Sequence, residues 1–415
     1  MMKFDKRDFL KLAGAGAMLG SATFTKSFAQ SDILPRVAQA KPISRRERET
    51  RVSKVQSLMQ EAGVDALVIE PGSSMIYFSN LRWWRSERLT ALVIPKEGHP
   101  CVITPYFEEP SVRESLDIVA DVRTWHENED PFKQLAGFLN DKGLPTPHIA
   151  IDPVSRYFVA EGIQRVFERV ELSIGDALIN DCRMFKTEAE LALMQAANDI
   201  TLAAYARIFP RIERGMRPGD ISSLMNDVTR ALGGQPKFSL ALLNEASAYP
   251  HGTDQPQMVR DGSIILMDCG CAFEDYQSDI SRTFVFGEPS KKQRETWLTV
   301  RKGQDIAFEA AQLGVAAGRV DDAVRRYYES LGYGPGYKTP GLSHRTGHGI
   351  GMDGHEPINL VQGEETPLAV GMCFSNEPGL YDFDAFGVRM EDCFYMTQNG
   401  PRYFSEPQRT IERPV

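Results

Sequence analysis

Five short stretches between residues 264 and 392 put acids and histidines on or beside apolar runs: IILMDCG, DYQSDISRTF, HRTGHGIGMDGHE, MCFSNEPGLY and GVRMED. From them Asp268, Asp279, His348, Glu377 and Glu391 supply four carboxylates and one imidazole. Such a donor set suits manganese, cobalt, zinc or iron better than a thiolate cage would. Four carboxylates converging in one pocket repel one another unless a cation lies between them, so their convergence implies metal. Taken singly the residues are ordinary: Asp268 also suits a strand-end turn, Glu377 a capping position and His348 a satisfied histidine. A zinc site built on His344, His348 and His355 alone would describe a mononuclear hydrolase and leave the four acids unexplained. The set reads instead as a two-metal hydrolase site.

The flanking residues predict the elements that must carry this set. Asp261-Gly262 is a turn, Ile264 to Met267 a strand with Asp268 directly after it, and Tyr276 to Phe284 the returning strand with Asp279 inside it. An acid within such a run is costly unless paired or metal-bound. His344 and His348 are four apart, which would share a helix face, but Gly347, Gly349 and Gly351 favour a glycine-rich strand or loop. Met372 to Asn376 delivers Glu377 ahead of Pro378-Gly379. In strand geometry Arg389 and Glu391 share a face, so the guanidinium can orient carboxylates, whereas Arg282 reads as a structural partner. Thr187 and Glu190 form a capping box opening a long core helix, TEAELALMQAANDITLAAYARIF. Further helices are expected at 219–231, 291–315 and 319–331, with Phe308, Ala311 and Val315 facing inward. FSLALLNEASAYPHG reads as a strand entering the loop that ends at His251.

The start of the chain reads as an export signal over residues 1–29. Lys3, Lys6, Arg7 and Lys11 precede a small-residue apolar run, and Ser27-Phe28-Ala29 suits cleavage. KRDFLK resembles a twin-arginine signal with lysine in place of the first arginine, so a periplasmic or otherwise exported protein is expected. Its apolar run is too short and glycine-rich for a stable membrane anchor. Removing it takes away five basic and two acidic residues, moving the formal charge from -9 to -12, which argues against nucleic-acid binding. The six cysteines show no CxxC spacing and are expected as buried free thiols.

Nearly 400 residues exceed what one core usually serves. After a lead-in over 30–43, a small α/β domain is expected over 44–178. Ser44 caps a helix with Val52, Val55, Leu58 and Met59 on one face, Gly63 stops it, and strands follow at 89–95 and 101–105. Its aromatic and cationic segment, Tyr77 to Arg88, fills a core or a subunit contact, or walls a peptide pocket. The remainder, 179–402, is the metal-bearing domain, with a surface tail over 403–415.

The order and spacing of the motifs resemble the pita-bread metallopeptidase family, which includes methionine aminopeptidase, Xaa-Pro aminopeptidase and prolidase. The features carrying the resemblance are MDCG, SDISRTF eleven residues later, GHGIG with HE seven past its histidine, NEPGLY and GVRMED. The N-terminal part resembles the creatinase-type domain of Xaa-Pro aminopeptidases and prolidases. This implies two divalent ions per chain, manganese first with cobalt or zinc as alternatives. Asp268 would chelate one ion, Asp279 and Glu391 would bridge both, and His348 and Glu377 would share one. Glu377 would also shuttle the proton, His355 and His251 would stabilise the oxyanion, and His344 would line the substrate side. The implied reaction is hydrolysis of the peptide bond before proline by a hydroxide between the ions, in peptides or dipeptides, by a homodimer. The same fold hosts hydrolases or lyases of small osmolyte-like molecules and could host a silent binding protein.

Overall fold

The computed structural model describes residues 37–415. The proposed export signal and lead-in residues 30–36 lie outside the described residues. No helix among the described residues is long and apolar enough to cross a membrane.

The first domain is a six-stranded sheet between helices. Its elements are α1 (Arg45–Ala62), β1 (Ala66–Ile69), α2 (Ser73–Ser79), β2 (Ala91–Pro95), β3 (Cys101–Pro105), α3 (Glu109–Ser115), β4 (Asp121–Trp125), α4 (Pro131–Asp141), β5 (His148–Ile151), α5 (Tyr157–Val166), β6 (Glu171–Ile174) and α6 (Asp176–Arg183). The strand order is β4-β3-β2-β1-β5-β6, antiparallel across β1–β2 and β2–β3 and parallel elsewhere. Alternation along the strands divides the core: Leu67, Ile69, Leu92 and Ile94 pack with α1 and α2, while Val68, Val93 and Ile103 pack with α4 and α5. Ser44 and Glu47 cap α1 reciprocally, and Gly63 ends it in the left-handed region that glycine tolerates, at φ 67°.

The second domain has two halves, each a sheet backed by a helix pair. In the first, α7 (Glu188–Ile208) and α8 (Pro218–Ala231) cover β7 (Gln235–Leu243), β8 (Ser263–Phe273) and β10 (Ile280–Phe286), and short β9 (Tyr276–Gln277) pairs with β8. In the second, α9 (Lys291–Ala310) and α10 (Gly318–Ser330) back the sheet order β12-β11-β13-β16-β17. Those strands are β11 (Gly347–Gly349), β12 (Glu356–Leu360), β13 (Cys373–Asn376), β16 (Asp392–Thr397) and β17 (Gly400–Tyr403), while β14 (Gly379–Tyr381) and β15 (Gly387–Arg389) form a separate ribbon. A small α/β domain followed by a mixed α+β domain is the fold that the resemblance implies. All six cysteines are buried and free.

Three local expectations are corrected. The return strand is interrupted: Ser278 and Asp279 lie between β9 and β10, where Ser278 bonds Thr201 and Cys271, and a Cβ at Gly270 would come within 2.4 Å of the Ser278 carbonyl. The helix expected to run to 315 stops at Ala310, because Gly314 and Val315 exchange backbone bonds with Leu368. Residues 403–415 are not a surface tail. Gln408 bonds the Thr283 backbone, Ile411 is buried, and the Pro414 carbonyl receives Arg282 Nε at 2.9 Å.

Candidate metal centre

The five sequence-predicted ligands come from both halves of the second domain and meet. Asp268 lies within β8, Asp279 in the gap before β10, His348 on β11, Glu377 directly after β13 and Glu391 directly before β16. One potential ligand atom from each of Asp268, Asp279 and Glu391 falls within 4.8 Å of the others, and the same holds for His348, Glu377 and Glu391, and for Asp279, His348 and His355.

The hydrogen bonds show what this cluster lacks. Asp268 Oδ2 accepts Arg389 Nη2 at 2.7 Å and Glu391 Oε2 accepts Ser281 Oγ at 2.8 Å. Asp268 Oδ1, Asp279 Oδ1 and Glu391 Oε1 are buried with no hydrogen-bond partner. Leaving such atoms unpaired costs several kcal/mol in general terms, roughly 1–3 kcal/mol each. The imidazole sharpens the point. His348 Nδ1 lies 3.0 Å from the Gly349 carbonyl, which can only accept, so Nδ1 carries the proton. Nε2 then turns a lone pair toward Asp279, Glu377 and Glu391 at 3.7, 3.4 and 3.9 Å. Burial and neighbouring His355 push its pKa down to about 3, so these are not ion pairs. A lone pair and orphaned carboxylate oxygens facing one space fit a divalent cation and little else.

Carboxylate titration points the same way. Burial, then Glu391 and Asp268, push Asp279 well above the usual carboxylate range. Burial and the Glu377 charge do the same to Glu391. Glu377 is raised to about 7 by burial, against the pull of Arg389. Without cations the site would have to hold protons instead.

The outer residues have distinct roles. Arg389 donates from Nε to Ser281 Oγ at 2.9 Å and so reaches Asp268 directly and Glu391 through the serine; the expected shared strand face is absent, because β15 ends at Arg389 and Glu391 lies in the break before β16. Arg282 is wholly buried against Asp392 and backbone carbonyls, a structural partner as expected. His355 is exposed above the cluster, with its ring 4.2 Å from that of His348. His251 is exposed on the loop before β8, close enough for its charge to act on His344 and His355. The expectation for His344 is narrowed: Nδ1 donates to the Arg345 carbonyl and Nε2 accepts from Tyr381 Oη, both at 2.7 Å, so neither ring nitrogen is free for substrate. Tyr381 also receives Arg389 Nη1, making His344 the end of a chain that orients Arg389.

Sequence reasoning missed Ser281, Tyr381 and Arg345. Ser281 and Tyr381 belong to motifs already singled out, but their bonds cross between segments about 40 to 110 residues apart, a pairing that local spacing does not encode. The Arg345 side chain has no hydrogen-bond or ion-pair partner among the described residues, while its charge acts on His348, His355 and Glu377.

The fold and site define a two-domain metallohydrolase. Residues 192–398 match Metallopeptidase family M24 and residues 51–185 match the Creatinase/Prolidase N-terminal domain. A relative from Mycobacterium tuberculosis, "Probable dipeptidase PepE", is 30% identical over 84% of this chain and 92% of its own. The "Xaa-Pro dipeptidase" of Lactobacillus delbrueckii subsp. lactis is 28% identical over 87% and 98%. The crystal structure of dipeptidase PepE from Mycobacterium ulcerans superposes with a TM-score of 0.82 at 28% identity, covering 89% of this chain and 99% of that one. The chain belongs to metallopeptidase family M24 and is an enzyme of the metal-dependent kind.

Proposed function

We propose that this enzyme hydrolyses the peptide bond preceding proline, with Xaa-Pro dipeptides as its main substrates. The observation carrying the metallohydrolase half is the set of three orphaned carboxylate oxygens on Asp268, Asp279 and Glu391, the last of them 3.9 Å from the His348 nitrogen that carries the lone pair. The proline half rests on the similarity to an Xaa-Pro dipeptidase across almost the whole of that relative's length.

Two divalent ions at these ligands, manganese in our reading, would supply a water of lowered pKa and an electrophile for the amide carbonyl. Within the chain, Glu377 is placed to carry a proton, its Oε1 standing 3.4 Å from His348 Nε2 at the edge of the carboxylate cluster. It takes the proton of the attacking water and returns it to the leaving nitrogen. His355 and His251 stand at the exposed side of the cluster, where donors can meet the developing oxyanion. Arg389, braced by Tyr381 and Ser281, holds the Asp268 and Glu391 carboxylates in register.

A homodimer is part of the reading, supported by the exposed side chains of Trp84 and, after β3, of Tyr106 and Phe107 on the first domain, while Tyr77 and Phe78 of the Trp84 segment are core. Sedimentation equilibrium tests it. Export rests on residues 1–29 alone, and fractionation of cells with and without that segment tests it.

The functional test is turnover by the metal-loaded protein on an Xaa-Pro dipeptide, a longer Xaa-Pro peptide, an N-terminal Met peptide and creatine. Cleavage restricted to the bond before proline, fastest for the dipeptide, is expected. Metal binding with no cleavage of any peptide would discard the substrate and keep the centre.

A further inference from the structure

The loop that presents His355 is tied to the other domain. Ser73 opens α2 and Arg183 closes α6, whose Leu178, Ile179 and Cys182 pack in one core with Val52, Val55 and Met59 of α1, so both residues belong to the first domain, which extends past the expected boundary at 178. Ser73 Oγ donates to Asp353 Oδ2 at 2.6 Å, and Arg183 Nη2 donates to the same oxygen at 2.8 Å. Arg183 Nη1 reaches back to Ser73 and Ser74, at 2.9 and 3.2 Å, so the Ser73 hydroxyl and the guanidinium form one cradle for the Asp353 carboxylate, with Ser74 bracing the guanidinium.

The loop is also held by its own domain and, through Glu356, by the domain junction. Glu356 Oε1 accepts the Met352 and Asp353 amides at 2.9 and 3.2 Å and Arg183 Nη2 at 2.6 Å, and its other oxygen accepts Lys186 Nζ at 2.8 Å. Gln277, two residues before the ligand Asp279, binds the Gly351 carbonyl through its backbone amide and the Met352 carbonyl through its side chain. A Cβ at Gly351 would come within 2.6 Å of the Glu356 carboxylate, so the turn is drawn tight against it. Residues 351–356 are thus clamped at one end by the metal-bearing strands and at the other by the first domain. His355 sits between the two clamps with its ring against His348.

We propose that Asp353 is a positioning residue through which the first domain sets the orientation of His355 over the metal centre. The inference rests on the role of His355 in the hydrolysis proposed above. It gives the first domain a part in the chemistry.

Asp353 suits the test because its side chain is 47% exposed and Arg183 keeps Glu356 when it is removed, so Asp353→Ala strands no buried charge. In the metal-loaded full chain, Asp353→Ala and Ser73→Ala should each lower kcat on the order of 10- to 100-fold, with KM and metal content unchanged. Asp353→Asn, which keeps an acceptor for the Ser73 hydroxyl, should recover part of the loss. In a His355→Ala background neither substitution should lower kcat further. Amide hydrogen exchange across 351–356 should quicken in both variants and stay unchanged at 264–272. Full kcat in the two single variants, or an equal further loss on top of His355→Ala, would overturn the proposal. Should the native enzyme cleave no Xaa-Pro peptide, the functional reading falls, and unchanged exchange at 351–356 would still overturn the coupling by itself.

Discussion

Glu356 and Glu391 are both buried carboxylates of the same domain, and their surroundings have opposite sign. Glu356 has every oxygen filled, by Lys186, Arg183 and two backbone amides, and these cations hold its carboxyl down to about 2 despite burial. Glu391 shares its space with Asp268, Asp279 and Glu377, and burial with the Glu377 charge pushes it well up. Against those four acids the described residues set one guanidinium in hydrogen-bond contact, that of Arg389. The chain neutralises its structural acids from within and leaves its functional acids short of positive charge. A buried site short of cations is one that recruits them from solution.

Breaking the functional side should cost activity and not the fold. Glu377→Gln removes the proposed proton carrier while keeping the shape, and kcat should fall on the order of 10²- to 10⁴-fold with an unchanged circular dichroism spectrum. Breaking the structural side should do the reverse. Arg282→Met strands Asp392, whose partner it is at 2.6 Å in a fully buried pair, and chemical denaturation should show a loss of about 3–5 kcal/mol.

The two clusters should also answer pH in opposite directions. In the metal-free protein Glu377 titrates at about 7 against an ordinary 4.5, so its contribution to stability is fully present below about 4.5 and lost as pH rises through about 7. Thermal melting of the metal-free enzyme should therefore fall over that window, and added manganese should abolish the fall. Glu356, held at about 2, contributes stability above 4.5 that is lost as pH falls toward 2. Lys186→Met should move the acid-unfolding midpoint of the metal-free protein upward. The smallest effect is expected from Glu391→Gln, which removes one like charge from the cluster. At a pH where that carboxyl is ionised it should stabilise the metal-free protein by on the order of 1 kcal/mol, while weakening metal binding.

How much of this was legible in the sequence follows from the range of the interactions. Reciprocal caps such as Ser44 with Glu47 and Thr187 with Glu190 are local, and both helices begin where those residues put them. The five candidate ligands were legible because, ordinary one by one, together they form a set of four carboxylates and one imidazole on motifs in a family's order. What stayed hidden depends on contacts between distant segments. Glu190 reads as a capping residue, yet its other oxygen accepts Tyr276 at 2.7 Å and pairs with Arg51 at 3.1 Å, joining the domains. Glu356 lies beside His355 in sequence but finds Arg183 and Lys186 about 170 residues away. The C-terminal residues read as a tail because their anchor, buried Arg282, needs acceptors that periodicity cannot reveal.

The most direct test of the charge imbalance is calorimetric titration of the metal-free protein with manganese at pH 7, in two buffers of different ionisation enthalpy. Saturation at about two ions per chain, with protons released from the raised carboxylates, is expected. Absence of saturable binding, or binding with no proton release, would contradict it.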